Sequence, residues 1–172
     1  MNTLTSQPST KKLTAAHKSE IRHTLDTFTK RTALFSGFEV NHASGSRTEA
    51  ELQMSIWIAA SLRKKQELAQ LSQTRFNPPA MAEPAFTIVG HEHSIYYAYP
   101  REDVVAGRSG VHILGPDEFR FEGLSTRSIR GVFRLLRLYG NVLKYGVDET
   151  EDGYWGGFFG PVLEKLASGS ID

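Results

Sequence analysis

The sequence predicts an α+β domain: two N-terminal helices, a four-stranded antiparallel sheet, then two C-terminal helices packed on the sheet. Three observations carry this. Apolar residues recur at helical spacing up to about residue 72. Short β-branched and aromatic runs replace them between about residues 86 and 121. Helical spacing then returns after Gly123. Size and composition agree: 172 residues, 40% hydrophobic and 23% charged, suffice for one domain with its own core. The chain divides into a disordered arm over 1–10 and a single domain over 11–172.

Residues 1–10 are rich in Ser, Thr, Gln and Pro and offer little to bury. From Lys12 to about Phe35, Leu13, Ile21, Leu25 and Phe28 recur with Ala16 and Ala33 at spacings that predict an amphipathic helix with a mostly basic outer face. Gly37 marks its stop, and residues 41–47 read as a loop. Ser46 with Glu49, and Thr48 with Glu51, have the spacing of a capping box, in which each side chain satisfies an unpaired backbone N–H. A helix from about 48 to 72 follows. Its stripe reads Leu52, Ile56, Ala59 or Ala60, Leu62, Leu68 and Leu71, widened by Trp57 and Ile58, so Ile56 and Leu62 are expected in the core. Asn77-Pro78-Pro79 and Pro84 make 73–85 a connector.

Residues 86–89, 94–99, 111–114 and 119–121 each read as a strand, and the glycine-rich links between them imply an antiparallel meander. Ser125 is the expected N-cap of a helix over 125–145, with Gly146 at its C-cap. An acidic loop over 148–152 and a glycine-aromatic segment over 153–160 follow. Pro161 suits the first turn of a short last helix ending near Ala167.

Composition excludes several functions. There is no cysteine, so disulfide scaffolds, cysteine zinc sites and thiol chemistry are absent. The formal net charge of +1 gives no global pull toward nucleic acid or an anionic membrane, although residues 1–80 carry 11 Lys/Arg against 6 Asp/Glu and residues 81–172 carry 9 against 13. The first residues lack the basic-then-apolar order of a signal peptide, and Ile56–Ala60 is far short of a membrane span. A cytoplasmic protein is the expectation.

Four features bear on function. Arg127, Arg130, Arg134, Arg137 and Lys144, with Asn141, fall within a sector of about 100° on the helix expected over 125–145. The opposite face holds Ile129, Val132, Phe133, Leu136, Tyr139 and Leu143, while Leu135, Leu138 and Val142 border the stripe, so part of that side is expected to be covered. Such a stripe suits an acidic protein partner, a phosphate backbone, or internal pairing with the acidic loop. His91-Glu92-His93 lies in a turn, and a metal site or general base there would need His112 or an acid as a further partner. Ile95, Tyr97 and Tyr99 alternate against Tyr96 and Ala98 and, with Phe119 and Phe121, offer a stacking face for bases or a packed core. Tyr154, Trp155, Phe158 and Phe159 sit among four glycines without any phosphate-loop pattern.

Leu124-Ser125-Thr126-Arg127-Ser128-Ile129 resembles the opening of a recognition helix in LuxR-type helix-turn-helix domains. The preceding residues, Leu114 to Phe121, read as turn and strand where those domains have a scaffold helix, so groove insertion does not carry over.

With no nucleophile elbow, paired-carboxylate motif or phosphate loop, the sequence reads as a small non-enzymatic binding protein: a regulator, adaptor or chaperone-like module, dimeric, with no cofactor. Its expected partner surface is Arg127, Arg130, Arg134, Arg137, Trp155, Phe158 and Phe159, engaging an acidic protein. The alternatives are a nucleic-acid-binding regulator using the Arg stripe, and a metal protein or enzyme around His91, His93 and His112.

Overall fold

The computed structural model describes residues 34–74, 78–101, 110–116 and 121–168. The arm expected over 1–10 and nearly all of the helix expected over 12–35 lie outside the described residues.

Four strands form one sheet in the order β1 (Gly37–Asn41), β2 (Glu83–Val89), β3 (Glu92–Arg101) and β4 (Gly110–Leu114). The last three make an antiparallel meander, with Ala85 opposite Tyr96 and Tyr97 opposite Leu114. β1 corrects the expected fold. It is a strand where the sequence suggested a helix stop and a loop, and it runs parallel to β2, Gly37 opposite Ala85 and Asn41 opposite Val89. Parallel neighbours need a long crossover, which α1 (Arg47–Leu71) provides. The sheet is therefore mixed rather than wholly antiparallel. The run expected as a strand over 119–121 ends in a turn at Phe121, while Phe119 and Arg120 lie outside the described residues.

Helices cover both faces of the sheet, not one. On the first, Met54, Ile58 and Leu62 of α1 meet Ala85, Tyr96 and Ala98 of the sheet, together with Phe158 and residues of α3 (Gly160–Ser168). On the second, α2 (Ile129–Val147) sets Leu135, Leu138 and Val142 on Phe86, Ile95 and Leu124. Strand alternation makes this division, since neighbouring residues such as Ala85 and Phe86 point to opposite faces.

Within α1 the N-cap is as the spacing requires: Ser46 Oγ accepts from the Glu49 N–H at 3.3 Å. The buried stripe is not the expected one. It runs Ala50, Met54, Ile58, Ser61, Leu62, Lys65, Leu68, Ala69. Leu62 is fully buried but Ile56 is 63% exposed. The rotation has a physical cause, because two members of the core stripe are polar. Lys65 Nζ lies 2.6 Å from Glu83 Oε2, and Ser61 Oγ donates to both Glu83 oxygens at 2.9 Å. Glu83, the first residue of β2, is 0% exposed. The Lys65 ammonium also lies 4.6 Å over the Tyr154 ring. A lysine and a serine serving a buried carboxylate belong to the core face while looking like surface.

α2 starts later than expected. Its N-cap is Ser128, which accepts from the Gly131 N–H at 3.0 Å, and the helix continues through Gly146 to Val147. Gly146 is no cap. A Cβ there would stand 2.3 Å from the Phe35 ring, so the glycine makes the seat for Phe35. The glycine-aromatic segment forms a π-turn over Trp155–Phe159 that crosses the acidic loop closely enough to put a Cβ on Gly156 2.0 Å from the Glu149 carbonyl oxygen.

Candidate functional site

α2 presents three faces. Leu135, Leu138 and Val142 face the sheet, flanked by Gly131 against the backbone of 123–125 and Gly146 against Phe35. About a third of a turn away, Arg130, Arg134 and Arg137 are exposed. Beyond the other edge of the sheet-facing stripe, Ile129, Val132, Phe133, Leu136 and Leu143 are exposed as well, Ile129 at 79% and Phe133 at 67%. These form the apolar face expected opposite the basic stripe, and the covered side is instead the one with Leu135, Leu138 and Val142, which border the stripe. The helix carries two apolar stripes, and periodicity cannot choose between them. Among the described residues no ion pair joins Arg130, Arg134 or Arg137 to the acidic loop, so internal pairing does not account for the stripe. Arg127 is exposed in the turn before the helix.

Arg134 is held in place. Its guanidinium donates to the Glu122 carbonyl at 2.5 Å and passes over Gly123. Those two residues form one wall of a cleft of about 190 Å³, whose other lining residues include Arg47, Glu92, His93 and Pro116. The cleft sits at the start of β3, where Ser125 pairs with Glu92 in an isolated antiparallel bridge. The His93 N–H donates to the Leu124 carbonyl at 2.9 Å and the Thr126 N–H to the His91 carbonyl at 3.1 Å. Ser125 Oγ, which sequence spacing suggested as a helix cap, donates to Glu92 Oε1 at 2.9 Å.

His93 points to the α2 side and pairs its Nδ1 with the Tyr139 hydroxyl at 2.5 Å. Burial holds its imidazole below the ordinary histidine range, against the opposing pull of the Glu92 carboxylate. Burial also lifts the Tyr139 phenol above its ordinary range, so Tyr139 keeps its proton at neutral pH. In the tautomer where Nδ1–H donates to Tyr139, Nε2 has a free lone pair. A neutral, oriented imidazole in a polar cleft can accept a proton.

The three singled-out histidines do not converge. His91 lies in the turn before β3, exposed, with its Nδ1 3.3 Å from Thr126 Oγ1. His112 stacks on Tyr99 at 5.3 Å near the far end of β3, about 20 Å along the strand from His93. No group of three His, Asp or Glu side chains able to hold a metal ion exists among the described residues. The carboxylates nearest to that role are engaged: Glu92 by Ser125, and Glu83 by Lys65 and Ser61 away from solvent.

Of the expected aromatic face, Ile95 is core, while Tyr97 and Tyr99 are partly open on the α2 side beside Leu114 and His112. Phe158 and Phe159, expected at a partner surface, are buried, and their rings fill the core around Tyr154. Trp155 is half-buried and lines a separate cavity of about 440 Å³ with Glu149 and Glu164. Sequence reasoning did not single out Glu92, Glu122, Ser125 or Tyr139 as a cluster. The available signal was alternation: with Ile95 inward, His93 must share its face and meet the helix.

No described helix is long and apolar enough to cross a membrane. Residues 2–155 match the family model described as PD-(D/E)XK nuclease superfamily. No curated protein and no solved structure matches. The letters of the family's description find only a partial echo here. Pro116-Asp117 is the one Pro–Asp pair in the sequence, and no acid-any-lysine triplet occurs. Glu118-Phe119-Arg120 has arginine where the lysine would stand. Pro116 lines the cleft, and residues 117–120 lie outside the described residues.

Proposed function

The chain belongs to the PD-(D/E)XK nuclease superfamily, and from that premise we propose that it is a nuclease-like enzyme whose substrate strand lies along the basic flank of α2 and enters the cleft at the start of β3. The observation that carries this is the family match, which spans nearly the whole chain. It overturns the expectation of a non-enzymatic regulator or adaptor. That expectation rested on missing local motifs, and a hydrolytic site assembled from several elements leaves none.

The cleft and its surroundings support the reading. Arg130, Arg134 and Arg137 project side by side, unpaired with the acidic loop, and a guanidinium fork matches phosphate oxygens. The bond to Glu122, a residue of the cleft wall, holds Arg134 behind that wall, from where its charge would offset the charge gathering on a phosphate under attack. His93 is the group placed to take the proton of an attacking water, with Tyr139 orienting it. The partly exposed Tyr97, and the face of Tyr99 not stacked on His112, would serve unpaired bases as stacking surfaces beyond the cleft. A divalent cation often serves phosphodiester hydrolysis. The described residues do not gather the ligands for one, so no step is assigned to it.

The test is a cleavage and binding assay on labelled single-stranded DNA, duplex DNA and RNA with divalent cations present. The expected result is cleavage of at least one substrate by the native chain, lost in His93→Ala. Arg134→Glu/Arg137→Glu should weaken binding and lower the slope of log affinity against log salt by about 2. A native chain that cuts none of the three, or a double variant with unchanged salt slope, refutes the proposal.

A further inference from the structure

Exposure changes abruptly along the α2 side of β3. Ile95 lies under the helix at 1% exposure, whereas Tyr97 and Tyr99, the next two residues on that face, are 37% and 36% exposed. β4 extends the patch: Leu114 stands opposite Tyr97 and His112 opposite Tyr99, both exposed. The Tyr99 and His112 rings are stacked, with 5.3 Å between centroids and 21° between planes. Two open rings lying nearly parallel on paired strands form a stack that a further flat ring can extend.

The surroundings point to the occupant. On one flank of α2, Tyr139 meets Phe38 of β1 at 5.6 Å. Arg134 is five residues earlier, about 140° round the helix, with the sheet-facing Leu135 and Leu138 between them. The arginine flank therefore overlooks β3 and β4, and Arg134 reaches the Glu122 carbonyl, downstream of β4. The cleft joins the patch as well, since Pro116 lines the cleft and Leu114, two residues earlier, stands opposite Tyr97. At about 3.3 Å per residue, Tyr97 and Tyr99 lie roughly 13 and 20 Å along the strand from His93. Guanidinium forks beside open rings match the phosphates and bases of one strand. A blunt duplex cannot use the rings, because its bases are already stacked on one another.

We propose that the β3–β4 face of Tyr97, Tyr99, His112 and Leu114 binds unpaired bases, which makes single-stranded nucleic acid the substrate class. For the reaction performed on that strand, the inference rests on the nuclease reading above. Binding without turnover tests it. The full chain, with divalent cations chelated, is titrated against a short labelled DNA oligonucleotide, either alone or annealed as a blunt duplex. The expected result is a preference of roughly tenfold or more for the single strand. Tyr97→Leu/Tyr99→Leu keeps apolar bulk on the sheet and should remove most of that preference, while Tyr97→Phe/Tyr99→Phe should retain it. Both pairs should leave the slope of log affinity against log salt unchanged, because the phosphate contacts remain. On the native chain, iodouracil in the oligonucleotide should photo-cross-link to Tyr97, Tyr99 or His112. Equal affinity for single strand and blunt duplex, a leucine pair that keeps the preference, or cross-links confined to other residues would overturn the proposal. A native dimer that the leucine pair loses would assign the face to a second copy and overturn it too. Cleavage of blunt duplex with no strand preference in binding would overturn this inference and leave the nuclease reading standing. Tyrosine-dependent single-strand binding without cleavage of any substrate would support it and refute that reading.

Discussion

Replacing Lys65 by methionine tests how closed the core beneath α1 is. The ammonium lies 2.6 Å from Glu83 Oε2. At an effective dielectric of about 20 that attraction is roughly 6 kcal/mol. Stripping two ions of water takes back several kcal/mol each, so the intact pair contributes little net stability. Lys65→Met removes only one side. It keeps an unbranched side chain at a buried position, loses the ammonium over the Tyr154 ring, and leaves a carboxylate with 0% exposure hydrogen-bonded by Ser61. The expected loss is about 3–5 kcal/mol, or a fall in Tm of roughly 6–20 °C for a chain of this size. Lys65→Met/Glu83→Gln leaves no charge and preserves a partner for Ser61, and should return to within about 2 kcal/mol of the native chain. Chemical denaturation of the native chain and both variants at neutral pH measures this. A single variant that loses less than about 1 kcal/mol would mean that Glu83 reaches water, and the reasoning would fail.

Other outcomes follow from the same geometry. Leu62→Ala should lose about 2–5 kcal/mol and Ile56→Ala less than about 0.5 kcal/mol by denaturant unfolding; equal losses would contradict the observed rotation of α1. His93 has its folded-state pKa lowered by burial, so below about pH 6.5 the unfolded chain binds a proton that the folded chain resists. Its contribution is complete above that pH and lost as pH falls toward the folded pKa. His93→Gln should therefore flatten the decline in Tm between pH 7 and pH 5, and an unchanged decline would assign it to other groups.

What the sequence disclosed followed from whether each local signal had one reading. Ser46 and Glu49 announced the start of α1 because a capping box satisfies backbone donors in only one place. The meander of β2 to β4 was legible for a similar reason, since short glycine-bearing links between β-branched runs leave few topologies. β1 was missed because Gly37 read as a helix stop leading into a loop, and the strand's pairing partner, Ala85 to Val89, lies beyond the whole of α1. The stripe of α1 was misjudged because Lys65 and Ser61 face inward to an acid distant in sequence. The cleft was only half visible. His93 drew notice as part of a metal-like tripeptide, but its partner Tyr139 sits on a helix whose orientation no periodicity could decide. The family itself was illegible from motifs, since the acid-any-lysine triplet is missing from the chain.

The parallel pairing of β1 with β2 carries a consequence for how the molecule assembles and comes apart. β2, β3 and β4 can zip through short connections, whereas β1 can join only after the chain has traversed α1 and returned, so its contacts carry the larger closure entropy. It is also a strand of five residues that, among the described residues, is paired on one side only. Together these make β1 the last strand to arrive in folding and the first to leave in partial opening, with the meander and α1 still in place. Native-state hydrogen exchange should find the β1 amides opening at a lower free energy than those of β2 and β3; protection equal to the central strands would show that the sheet opens as one body. Such an opening would unstack Phe38 from Phe86 and slacken the hold on Tyr139. The His93 imidazole, hydrogen-bonded to Tyr139, would thus be tuned by a strand on the opposite margin of the sheet.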